Sequence, residues 1–167
     1  NPVQPTKEIT ESGVEVEVYN LDEFFSEEDT VILSLNKGDV VEFLVGASPT
    51  VNGFISRDEF ITDPEGEGTP FDASPLIDSG SVQFDLKVVS APNDSTAPWL
   101  FKIESAGGDS AVELELNQSS EGLDPVTGEW QTYTFPLQML ADQGLDLSAI
   151  DVVMFFPAWG AGEGAIY

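Results

Sequence analysis

Four stretches of this chain alternate apolar and polar residues with a period of two, and that period decides what it can become. VEVEVYN (14–20) interleaves Val with Glu. SVQFDLKVVS (81–90) sets Val82, Phe84, Leu86 and Val88 against Gln83, Asp85 and Lys87. WLFKIES (99–105) opposes Trp99, Phe101 and Ile103 to Leu100, Lys102 and Glu104. AVELELN (111–117) opposes Val112, Leu114 and Leu116 to Glu113 and Glu115. Successive side chains of a strand point to opposite faces, so each stretch reads as a strand with one face in a core and one in water.

Further strands are expected in TVILSL (30–35) and DVVEFLVG (39–46), joined by Asn-Lys-Gly, and in TVNGFISR (50–57), EWQTYTFPL (129–137) and DVVMFFP (151–157). One short helix is expected over 137–143, with Pro136 at its start and Gly144 at its end. Many short strands joined by Gly, Pro, Asn and Asp turns describe an all-β chain, an antiparallel β-sandwich, with no internal repeat and no domain boundary. The Pro-rich opening, NPVQPTKEIT, reads as the end of a linker covering residues 1–12, so residues 1–167 are expected to form one domain.

Charge narrows the partners. Thirty-one Asp and Glu residues stand against 5 Lys and Arg, for a net charge of −26. Such a surface repels nucleic acid and anionic lipid, because no basic patch can neutralise phosphates. It suits high salt, where screening removes self-repulsion, and therefore a marine or halophilic source, or a secreted or cell-surface protein bathed in divalent cations. Hydrophobic residues at 41% are ample for a core, so the acidity does not signal disorder. Cys and His are both absent, which excludes disulfides, zinc–thiolate sites and Ser-His-Asp or Cys-His catalysis. No segment is long and apolar enough for a membrane span.

The tryptophans divide by context. Trp99 shares parity with Phe101 and Ile103 and belongs in the core or at its mouth, where it is also a candidate ligand platform. Trp130 opens EWQTYTF with parity opposite to Tyr133 and Phe135, and is expected to be structural. Trp159 sits in FPAWGAGEG, where no regular strand fits; it either lies flat on a ligand or folds back as a lid over the core.

Polar groups offer two further candidates. If the stretches 81–90, 99–105 and 111–117 share one sheet, Asp85, Lys87, Lys102, Glu104, Glu113 and Glu115 form one outward field, either charge-paired across strands or a binding surface. Arg57, the sole arginine, either serves that surface or bridges to Asp58 or Glu59. In DPEGEGTPFDAS (63–74), Asp63, Glu65, Glu67 and Asp72 suit a calcium loop, since a hard cation wants several carboxylates around a tight turn. Ser74 stands where an EF-hand has its bidentate Glu, and a solvated acidic loop is the competing reading.

Two phrases go further. SVQFDLKVVSAPNDSTAPWLFKIES and PVTGEWQTYTFPLQMLADQGLDLSAIDVVMFFPAWGAGEGAIY resemble the carbohydrate-binding β-sandwich modules of the galactose-binding-like, jelly-roll fold. In particular they resemble the ExoP-type domains attached to polysaccharide-degrading enzymes of marine bacteria. The similarity runs from about Thr50 to Tyr167. It implies a noncatalytic module that binds a polysaccharide and holds an attached catalytic domain near it, often with a structural calcium ion, and in which Tyr167 begins the last strand.

A pyranose ring stacks its C–H face on an indole, and its hydroxyls take directional, often charged, hydrogen bonds. Trp159 and Trp99 are the candidate platforms; Arg57, Lys87, Lys102 and Asp85 are the candidate hydrogen-bonding groups. The net charge favours a neutral glycan such as a β-glucan. The alternative is a structural or adhesive β-sandwich that packs against a neighbouring domain, with the outward lysines paired off. A carboxylate-based hydrolase is the least supported reading.

Overall fold

The computed structural model describes residues 6–9, 15–20, 32–36, 40–45, 53–55, 70–158 and 160–167. Ten strands run through them: β1 (Thr6–Ile9), β2 (Glu15–Asn20), β3 (Ile32–Asn36), β4 (Val40–Leu44), β5 (Gly53–Ile55), β6 (Ser81–Lys87), β7 (Trp99–Ser105), β8 (Ser110–Glu115), β9 (Trp130–Pro136) and β10 (Ile150–Pro157). One α-helix, α1 (Leu137–Asp142), follows β9 directly. The chain is all-β, and every strand pair is antiparallel. The pairing orders are β1-β2-β3-β4, β5-β10-β7-β8 and β6-β9.

Within the stretch read as a linker remnant, Thr6–Ile9 pairs with β2, Thr6 opposite Val18 and Ile9 opposite Glu15. Helix α1 begins where expected and is capped at Gln143, with Gly144 taking the positive φ that ends it. Strand β8 stops at Glu115 because Gln118 reaches back to the Glu115 N–H (2.8 Å), turning Leu116–Gln118 into a 3₁₀ segment.

The core explains the period-two stretches. Phe84 of β6 packs on Phe155 of β10, with ring centroids 4.0 Å apart, and Phe101 of β7 stacks on Phe135 of β9 at 4.3 Å. Phe101, Ile103, Tyr133 and Phe135 are fully buried there. Each such side chain contributes roughly 1.5–3 kcal/mol by leaving water. The inner faces of β6–β9 and β7–β10 therefore meet, and their outer faces point away from each other.

Residues 164–167 join these elements. Tyr167 exchanges backbone hydrogen bonds with Phe43 (2.7 and 3.1 Å), and the Val45 N–H donates to the Ala165 carbonyl (3.0 Å). On the opposite side Ile166 pairs with Ser90, and the Val89 N–H donates to the Ile166 carbonyl (2.7 Å). The segment thus bridges β4 and the continuation of β6.

Candidate ligand-binding face

The outer face of β6–β9 brings together the residues best suited to a ligand. In the register of this pair Gln83 stands opposite Thr134, Asp85 opposite Thr132 and Lys87 opposite Trp130. Alternation sends all six side chains outward, because Leu86, Tyr133 and Phe135 are taken into the core. The Thr132 hydroxyl donates to the Asp85 carboxylate (2.6 Å), and the Gln83 amide donates to the Thr134 hydroxyl (3.1 Å).

Trp130 closes one end of this face, with 55% of its surface exposed. A turn places it there: Gly128, at φ +89°, donates its N–H to the Val88 carbonyl (2.8 Å), and the Glu129 N–H donates to Val126 (3.2 Å). At the other end the Thr134 N–H donates to the Glu121 carboxylate (2.7 Å), and the Ser120 N–H donates to the Thr134 carbonyl (2.9 Å). The hydrogen bond from Thr134 holds the Glu121 carboxyl below its ordinary pKa. The result is a hydrogen-bonded surface with an indole, an ammonium, a carboxylate, an amide and two hydroxyls in rows.

Lys102 falls elsewhere. β6 and β7 lie in different sheets, so the single field expected from Asp85, Lys87, Lys102, Glu104, Glu113 and Glu115 does not form. Asp85 and Lys87 share the β6–β9 face. Lys102 lies on the outer face of β5-β10-β7-β8, ion-paired with Glu104 (2.8 Å) and opposite Glu113 and Met154. Among the described residues Lys87 makes no ion pair. Trp99 is 9% exposed and meets Tyr167 edge-on, with centroids 5.0 Å apart.

Asp72 is exposed, and its carboxylate accepts the Ser74 N–H (2.9 Å), opening the 3₁₀ turn Ser74–Leu76. Trp159, Arg57, Asp63, Glu65 and Glu67 lie outside the described residues. No group of three Asp, Glu, His or Cys that could hold a metal ion occurs among the described residues, and no helix there is long and apolar enough to cross a membrane.

Trp130, expected to be structural, is exposed on the polar side of β9. Its parity, opposite to Tyr133 and Phe135, was the signal. An aromatic on the polar side of an alternating strand has no core to enter. Comparison with protein-family models, with curated proteins and with solved structures returns no match for this chain.

Proposed function

We propose that the chain is a noncatalytic carbohydrate-binding module, with the outer face of β6–β9 as its polysaccharide platform. One observation carries this reading: Trp130, half-exposed, is set in a row of polar side chains that already stand at fixed spacing. A pyranose covering the indole removes apolar surface from water at roughly 25 cal/mol per Å². Lys87 donates to ring hydroxyls, Asp85 accepts from them, and Gln83, Thr132 and Thr134 extend the contacts along the strands. In this reading the layers form a jelly-roll sandwich of the galactose-binding-like type, and the module is secreted and holds an attached polysaccharide-degrading domain on its substrate.

A neutral glycan, such as a β-glucan, fits the charge. A polyanion would have to approach a chain of net charge −26, with one lysine on the platform. The test is affinity electrophoresis through neutral and anionic polysaccharides, with and without calcium, comparing the wild type with Trp130→Ala. Retardation by a neutral glycan that is lost in the variant is the expected result. Retardation unchanged by the substitution would place binding elsewhere. No retardation by any glycan would favour a module that packs against a neighbouring domain.

A further inference from the structure

The turn that carries Trp130 onto the platform also walls a cleft of about 540 Å³, within the range of roughly 300–1,000 Å³ in which small molecules are enclosed. Val88 and Trp99 line its apolar part. Ser95 and Thr96 stand on one wall and Asp124 and Thr127 on the other. Glu115 also borders it.

Both walls are held before any ligand arrives. Asp94 accepts the Thr96 N–H (3.0 Å) and hydroxyl (2.6 Å), and the Asn93 N–H donates to the Glu163 carbonyl (2.8 Å). Across the cleft, the Asn117 amide donates to the Asp124 carboxylate (2.9 Å), and the Gln131 amide donates to the Asp124 carbonyl (3.0 Å). Fixed walls spare a ligand the entropic cost of ordering them.

The lining selects by chemistry. Glu115, Asp124, Ser95, Thr96 and Thr127 are among the lining residues, and no Lys or Arg is. An anionic sugar would find no countercharge. A neutral hexose offers hydroxyl donors to the carboxylates and a C–H face to the apolar part. Thr127 on the cleft wall and Trp130 on the platform stand on either side of the Gly128–Glu129 turn.

We propose that the cleft takes the terminal hexose of a neutral glycan whose following residues lie over Trp130, so that the module recognises chain ends. This inference rests on the glycan-binding reading above, but it is tested separately. The probes are methyl β-glucoside, its uronic acid counterpart, and a β-glucan before and after partial hydrolysis, which raises the number of chain ends at constant mass.

Methyl β-glucoside should shift the backbone amide resonances of Ser95, Thr96 and Thr127. The uronic acid should not. Ser95→Trp, which fills the cleft from an exposed wall position, should abolish the shifts, whereas Trp130→Ala should retain them. Hydrolysed glucan should bind more protein per unit mass than intact glucan, roughly in proportion to its ends. Circular dichroism confirms that the variants fold, and Thr127→Arg provides a second block from the opposite wall.

If methyl β-glucoside leaves those resonances still while intact glucan moves Thr132 and Thr134, the cleft inference fails and the platform stands. If the uronic acid binds equally, or if both blocking variants respond like the wild type, the inference also fails. Glycans that move neither set of resonances would overturn both readings.

Discussion

Lys87 and Trp130 stand directly opposite each other across the β6–β9 pair, with an ammonium beside an indole on one open face. That pairing separates binding from folding. Trp130 is 55% exposed, so Trp130→Ala should change stability by no more than about 0.5 kcal/mol. Glycan affinity should fall by about tenfold or more, equivalent to ~1.4 kcal/mol or above. Binding isotherms and thermal melts on the same samples separate the two effects. A large loss of stability would make Trp130 a structural residue and remove the platform.

Tyr167 makes the opposite kind of contact. Its hydroxyl donates to the Phe155 carbonyl (2.6 Å), its ring meets Trp99 edge-on, and Phe43 lies 5.3 Å away in a tilted pair. Tyr167→Phe keeps the ring contacts and leaves a buried carbonyl of β10 without this donor. The expected cost is about 1–2 kcal/mol, read from denaturant titration. Glycan affinity measured well below the melting temperature should stay within about twofold of the wild type, since Tyr167 is absent from the platform.

How much of this was legible in the sequence depended on the physical signal each part carries. Alternation exposed β6, β7 and β8 to within three residues at each end, because Val82, Phe84, Phe101, Ile103, Val112 and Leu114 had only one apolar direction to face. It could not say which strands are neighbours. Asp85 and Lys102 look alike in sequence, and only the pairing of β6 with β9 and β7 with β10 sends them to different surfaces. The bulge at Asp151 was also hidden. Ile150 pairs with Ser105 and Val152 with Glu104, so Asp151 is the extra residue, and its buried carboxylate accepts the Gly107 N–H (2.7 Å). A strand pattern contains no mark for a carboxylate whose partner is a turn more than forty residues away. Trp130 was legible in part: its parity, opposite to Tyr133 and Phe135, gave its face, and the structure leaves it 55% exposed there.

Tyr133 supplies a test of the core itself. Its ring is fully buried and stacks on Phe84, while its hydroxyl has no hydrogen-bond partner among the described residues. Burial, reinforced by the charges of Asp124 and Glu121, pushes the phenol up to about 12. Tyr133→Phe removes an unpaired buried hydroxyl and should stabilise the fold by about 1 kcal/mol. The raised pKa means that the folded state keeps its proton longer than the unfolded state. Stability is therefore undiminished below pH 10.0 and falls as pH rises toward about 12. The variant should lose this contribution to the alkaline decline. Equal alkaline slopes for the two proteins, read from denaturant titrations across that window, would contradict the assignment.

Salt tests the largest electrostatic quantity in the chain. With a net charge of −26, compaction brings like charges together. Raising ionic strength from ~0.01 to ~0.15 M shortens the screening length from about 30 to about 8 Å and weakens that repulsion. The melting temperature should rise with sodium chloride. If screening alone is responsible, magnesium and calcium chlorides should raise it equally at equal ionic strength. A calcium effect well beyond that of magnesium would instead report a specific site. Affinity for a neutral glycan should remain nearly constant through the same series, because the ligand has no charge to screen. An affinity that climbs steeply with salt would mean that the bound polymer is anionic, and the platform at Trp130 would then need a different ligand class.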